Sequence, residues 1–349
     1  MNKVYFNFGL YEGCNYVRCL LPMLHNGWDG DQLNIYAKKK NPVIATKAML
    51  ASDMVVMHRP MEQIRKDIFL LLKESGKKIV FDNDDTYKVN DTMKLGKSLD
   101  ALDSNIDWFI KNADLVTTTT EYLAEEYRKL NKNVVVLPNC IDPNDREKPI
   151  KNKGNKVRIG LVGSTAGIEK DFSRIRDLLK ELSLDERVQL VIFGVVRKDS
   201  VIADKYESEI SFWDSLNIDW IPPVPIKDYP KVFRSLELDI LLIPREDNYF
   251  NRCKSNIKFL EASILEIPVI AQGFDDGKSP YQGNDEPYMK ICKRFSEWEI
   301  AVEELIKNKE LRQQMGKDAR KYVLANYDIR KKAKLWKEAY KKLWDNIEK

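Results

Sequence analysis

Short apolar runs that alternate with amphipathic stretches constrain the fold of this chain more than any single residue does. In the first half the runs read VYFNF (4–8), DMVVMH (53–58), KKIVFD (77–82), ADLVTTTT (113–120) and NVVVLPN (133–139), with helical patterns such as IRKDIFLLLKESG and EYLAEEYRKL between them. Apolar strands separated by helices build parallel sheets covered on both faces. At 140–156 the composition shifts to CIDPNDREKPIKNKGNK, rich in Pro, Asn, Lys and Asp, which reads as an interdomain linker. The alternation then restarts with VRIGLVG (157–163), KDFSRIRDLLKEL, VQLVIFG, LDILLIP and IPVIA. The expected architecture is α/β, with two Rossmann-like, doubly wound domains over 1–145 and 146–326. Ligands of such sheets bind outside the carboxyl ends of the strands, so the expected site is a cleft that the two domains face.

A length of 349 residues suits two domains, each with its own core. Hydrophobic residues at 43% and charged residues at 32% describe a globular protein, and no run of 18 apolar residues is available to span a bilayer. The first residues alternate like a strand and lack the pattern of a signal peptide, so a cytoplasmic location is expected. Five scattered cysteines without a CxxC pair, and only two histidines, argue against a disulfide framework and a structural zinc site. The charge balance of +4 is too weak for a nucleic-acid partner. Positive charge gathers only at KKK (38–40) and in the tail RKKAKLWKEAYKKLWDNIEK.

The stretch NRCKSNIKFLEASILEIPVIA (251–271) places a helix before a buried strand. Ser255 reads as its N-cap, and Ile257, Leu260 and Ile264 as its buried stripe. Lys254, Lys258 and Glu261 share a different face. Two lysines beside free N–H groups at a helix start make a seat for a diphosphate, and an ionised Glu261 can accept from a pair of ribose hydroxyls. The competing reading is a solvated face with Lys258 and Glu261 paired at i, i+3. The GST loop (Gly163, Ser164, Thr165) is either a tight turn or, with that helix, a phosphate loop.

The order strand, loop, helix and strand across DILLIPRE, SNIKFLEAS and IPVIA resembles the nucleotide-sugar signature of GT-B glycosyltransferases, particularly the retaining family four. That signature is an E-x7-E followed by A-x-x-x-G-x-P-V-(I/V)-A, and Lys258, Glu261, Ala262, Pro268, Val269, Ile270 and Ala271 match it. GLVGSTAG (160–167), VIFG (191–194) and LPNCID (137–142) match further, so the resemblance is dense over 134–330 and thin before. It implies a transferase that moves a sugar from a nucleotide-sugar donor to a glycan or lipid-linked acceptor, with retention and with no metal or other cofactor. Glu261 would hold the ribose, and Lys258 the phosphates and the charge of the leaving group. Gly163, Ser164, Thr165, Lys170, Gly194, Arg252, Lys254, Ser255 and Asn256 would complete the donor site.

Two positions depart from the signature: Cys253 stands where the first glutamate is usual, and Glu266 where a glycine is usual. Glu246 or Asp247, in RED (245–247), could supply the missing carboxylate, which makes Glu246 the second catalytic candidate. On the acceptor side the candidates are Gly13, Tyr16, Arg18, His58, Arg59, Asp84 and Asp85. Asp82-Asn83-Asp84 is formally the metal-binding D-x-D of another glycosyltransferase fold, GT-A, but the phosphate-binding features lie in the other half of the chain. Leu335, Trp336, Ala339, Tyr340, Leu343, Trp344 and Ile347 form an apolar stripe in the tail. The resemblance has this last helix (327–349) return to the first domain; the alternative is a helix lying on a membrane surface. A GT-B nucleotide-sugar epimerase and a non-catalytic nucleotide-sugar-binding subunit are the rival functions.

Overall fold

The computed structural model describes residues 3–9, 13–32, 42–86, 99–145, 148–163, 168–195 and 207–345. The chain forms two compact units: Met1–Asp142 with Cys253–Ser255 and Tyr327–Lys349, and Pro143–Arg252 with Asn256–Asn326.

Among the described residues the first unit holds six strands: β1 (Val4–Phe8), β2 (Asp29–Gln32), β3 (Met54–His58), β4 (Lys78–Asp82), β5 (Leu115–Thr118) and β6 (Val134–Val136). They lie in the order β2-β1-β3-β4-β5-β6, all parallel. Every residue of β1, β3 and β5 is buried, because helices cover both faces of the sheet. On one face Phe69 of the helix Gln63–Glu74 meets Phe109 of the helix Leu99–Asn112 edge-on, ring centroids 5.6 Å apart. On the other, the tail closes the core: Trp336 and Tyr340 of the helix Lys334–Asp345 are buried against Val4, Phe6, Leu21 and Val56, with Leu335, Ala339, Leu343 and Trp344 packed alongside. Ile347 lies outside the described residues.

The second unit repeats the plan with β7 (Val157–Val162), β8 (Val188–Phe193), β9 (Ile218–Ile221), β10 (Ile240–Ile243), β11 (Val269–Gln272) and β12 (Lys290–Cys292). Their order is β12-β11-β10-β7-β8-β9, again all parallel. Its core includes the buried Trp213 and Trp298. No helix among the described residues is long and apolar enough to cross a membrane.

Three strands escape the apolar pattern: β2, β9 and β12. All three are sheet edges. An edge strand is held by one ladder and covered less completely, so DGDQ can serve as β2 although it lacks any apolar alternation. Gly30 in β2 is required by space, since a Cβ there would lie 2.6 Å from the Met23 sulfur and 2.8 Å from the Phe6 carbonyl oxygen.

Candidate active site

In the second unit the carboxyl ends of β7 and β8 nest against each other. Gly163 donates its N–H to the Phe193 carbonyl at 3.0 Å, and Gly194 its own to Ile221 at 3.0 Å. Gly194 has φ +92, and a Cβ there would stand 2.5 Å from the Gly163 carbonyl oxygen, so both the conformation and the close approach demand glycine. Ser164 and Thr165 lie outside the described residues, as does the side chain of Lys170 in the helix Ile168–Ser173.

The helix Ile257–Ile264 reaches this edge with the two side chains that its sequence singles out. Lys258 donates its ammonium to the Val162 carbonyl at the end of β7. Glu261 accepts from the Tyr229 hydroxyl at 2.9 Å, and the Tyr229 ring stacks on Phe193 with centroids 5.3 Å apart. Two details correct the sequence reading. The N-cap is Asn256, whose side chain makes no cap bond and donates instead to Asp285; the Ser255 hydroxyl accepts from Asn139 within the first unit. The buried face is wider than the expected stripe, comprising Phe259, Leu260, Ala262, Ser263 and Ile264 with Ile257 only half-buried, because the helix Lys309–Asn326 packs against it as well.

Cys253 is fully buried, so it offers nothing in place of the expected carboxylate. Arg252 is tied to Asp247 through Nε at 2.7 Å and Nη2 at 3.0 Å, bonds Asp276, and lies 5.4 Å from the Phe274 ring centroid. Asp247 is therefore engaged by an arginine, while the Glu246 carboxylate accepts from Asn248 Nδ2 at 2.7 Å.

In the first unit the carboxyl ends of β3, β4 and β5 gather a second polar group. Asp82 accepts from Arg18 Nε at 3.1 Å and Nη2 at 2.6 Å, from His58 Nδ1 at 2.8 Å and from Thr117 Oγ1 at 2.6 Å. Burial alone would raise its pKa, but Arg18 and His58 override this and hold the carboxyl well below its ordinary range. Asp82 is thus spent on protein donors. Among the described residues no group of three or more His, Cys, Asp or Glu is arranged to hold a metal ion.

Arg18 requires a correction to the sequence reading. It sits in a π-helical stretch, Tyr16–Leu20, where it is fully buried, also bonds Leu137 O and Asn139 Oδ1, and lies beneath Trp336. The guanidinium braces Asp82 from below and touches no open surface. Tyr16 packs half-buried against the core, while Gly13 is exposed at the start of the short helix Gly13–Asn15 that precedes it.

Asp84 and Asp85 remain at the sheet edge. Arg59 grips Asp84 through Nε at 2.7 Å and Nη2 at 2.6 Å, and reaches Asp85 at 3.4 Å. Burial pushes Asp84 up and Arg59 pulls it down further, to about 2. Burial raises the Asp85 carboxyl against the pull of Lys254, which pairs with it. Lys254 therefore belongs with Asp85 in the first unit and not with Lys258. Next to Asp84, burial and then that carboxylate push the Cys14 thiol up to about 12, so it is a neutral donor. Arg59 adopts φ +44, a strained backbone at the strand end. His58 is buried, with Nε2 lacking a hydrogen-bond partner and 3.9 Å from Asp84.

Residues 173–338 match a family model described as glycosyl transferase-like. No curated protein sequence matches the chain. Among solved structures, sucrose-phosphate synthase from Thermosynechococcus elongatus aligns over 99% of this chain and 100% of its own, with 13% identity and a TM-score of 0.69. Anabaena HepE, solved in complex with UDP-glucose, aligns over 98% of this chain and 100% of its own, with 11% identity and a TM-score of 0.67. A glycosyltransferase from Rickettsia africae covers 99% of both chains at 11% identity and a TM-score of 0.66. Residues 173–338 thus resemble a glycosyl transferase-like domain, and the described residues have the fold of the GT-B glycosyltransferases.

Proposed function

We propose that this protein transfers a sugar from a nucleotide-sugar donor to a glycan or lipid-linked acceptor, with retention of anomeric configuration and without a divalent metal. The observation that carries the reading is the placement of Lys258 and Glu261 at the carboxyl edge of the second sheet, beside the two glycine turns. There Lys258 meets the charge that grows on the leaving diphosphate, and Glu261, held by Tyr229, accepts from the ribose hydroxyls. Fixed cations and helix N–H groups stabilise such a leaving group without a metal. Arg59, Asp84 and Asp85 are assigned to the acceptor, with Asp84 kept ionised to accept from a hydroxyl.

UDP-, GDP-, dTDP- and CMP-glucose, screened for thermal stabilisation, identify the nucleotide, since a ligand that binds only the folded state raises its melting temperature. Activity with the stabilising donor is expected to survive EDTA. Loss in EDTA with recovery in manganese would overturn the metal-free part of the proposal. Released nucleotide together with a glycosylated product marks the transferase; an isomerised donor marks an epimerase, and binding without turnover a non-catalytic subunit.

A further inference from the structure

The carboxylate of Asp171 is 5% exposed and bonds three donors from one segment, residues 245–251, that lies more than seventy positions away in sequence. Its Oδ2 accepts from Arg245 Nη1 at 2.6 Å, and its Oδ1 from the Glu246 backbone N–H at 3.0 Å and Asn251 Nδ2 at 2.7 Å. Asn251 Nδ2 also donates to the Glu246 carbonyl at 2.9 Å, so the peptide groups on both sides of Glu246 are pinned. The Glu246 side chain is then aimed by Asn248, whose Nδ2 donates to Oε2 at 2.7 Å and whose Oδ1 accepts from the Asn251 N–H at 2.8 Å. Asp171 stands in the helix Ile168–Ser173, directly after Lys170, while the loop it grips follows β10 and leads into the helix Tyr249–Arg252.

We propose that Asp171 is a positioning residue that fixes Glu246 as the carboxylate which reads the hydroxyl groups of the transferred sugar, a task that buried Cys253 cannot perform. The inference rests on the donor reading above. A carboxylate that must hydrogen-bond sugar hydroxyls loses its discrimination when its backbone is free to move, and a buried anion is what can hold three donors at once. Through Asp171 the helix Ile168–Ser173 and the loop that carries Glu246 form one hydrogen-bonded body.

The test has two arms. In the unliganded protein, Asp171→Asn is expected to speed amide exchange across 245–251 while leaving the helix Ile257–Ile264 protected. In calorimetric titrations with UDP and UDP-glucose, Asp171→Asn and Glu246→Gln are each expected to leave UDP affinity unchanged and to weaken UDP-glucose about 10-fold, the scale of one lost charge-assisted hydrogen bond. The double variant is expected to be no worse than either single one, because both remove the same contact. Should Asp171→Asn lower the melting temperature too far for titration, Asn251→Ala severs one link of the network and is expected to give the same split. Unchanged exchange across the loop, or equal losses of UDP and UDP-glucose affinity, would overturn the assignment. A wild-type protein that binds UDP but gains nothing from the glucose removes the sugar-reading role, whereas one that binds none of the four nucleotide sugars removes the donor reading itself.

Discussion

A carboxylate buried at the end of β4 is tolerable only because four donors converge on it, and the same geometry fixes what its loss does. Asp82→Asn leaves the fully buried Arg18 without its counter-charge, and urea unfolding is expected to show a loss of ~3–5 kcal/mol. The pH dependence has a definite sign. Asp82 and Asp84 both have folded pKa values below that of an unfolded aspartate, so their ionised forms stabilise the fold above pH ~4. That stabilisation drains away as the pH falls from ~4 toward about 2, the folded value for Asp84, and an acid titration of Asp84→Asn is expected to lose part of this dependence. In the second unit, Lys258 and Glu261 are expected to fail in different ways. On the proposed donor reading, Lys258→Ala removes a charge that acts in the transition state and should lower kcat by on the order of 100- to 1000-fold. On the same reading Glu261→Gln weakens a contact to ribose that changes little during reaction, so steady-state kinetics should show a raised donor KM with kcat near normal. Wild-type kinetics in both folded variants would return this helix to an ordinary polar face.

Elements were legible in the sequence in proportion to how fully they are buried. The central strands announce themselves because both faces must be apolar, while β2, β9 and β12 are edges with weaker demands. The helix Ile257–Ile264 was legible from the order of strand, loop and helix around it, but its cap was not, because Ser255 is drawn to Asn139 in the first unit. Arg18, Asp171 and Tyr229 show the other limit: their roles rest on partners 64, 74 to 80 and 32 positions away, which no local spacing records. Glu266 was visible as a departure from a family glycine, and its φ of +57 supplies the reason why a glycine suits that turn. Its carboxylate is held by Lys151 at 2.9 Å and Arg320 at 3.3 Å. The same turn sets a second glycine. A Cβ on Gly316 would stand 2.1 Å from the Glu266 carbonyl oxygen, backbone that has no room to yield between two packed helices. Gly316→Ala is expected to destabilise the second unit by ~1–3 kcal/mol in thermal unfolding, and an unchanged melting curve would mean that the two helices can part at no cost.

At the scale of the whole molecule the chain leaves the first unit at Asp142, touches it again at Cys253–Ser255 and returns to it at Tyr327, so that unit is complete only once the segment from Tyr327 is in place. The return is stitched by backbone: Ile141 donates to Tyr327 O at 2.9 Å, and Ile329 donates back to Ile141 O at 3.0 Å. Beyond the stitch Trp336 is 1% and Tyr340 3% exposed, the latter stacked 5.3 Å from Trp28. Full burial of large apolar side chains stabilises by ~1.5–3 kcal/mol each, so Trp336 and Tyr340 together represent ~3–6 kcal/mol, a large share of the whole stability of an ordinary domain. Deleting residues 330–349 is therefore expected to abolish the cooperative melting of the first unit while the second, which contributes none of these contacts to its own core, still unfolds as a distinct transition. Near-ultraviolet circular dichroism and calorimetry report the two transitions separately. The membrane-surface role for the tail makes the opposite forecast, because a helix that presents its tryptophans to lipid leaves the first unit intact when it is removed. A truncated protein that melts like the full chain but no longer sediments with anionic vesicles would establish that role and overturn the structural one.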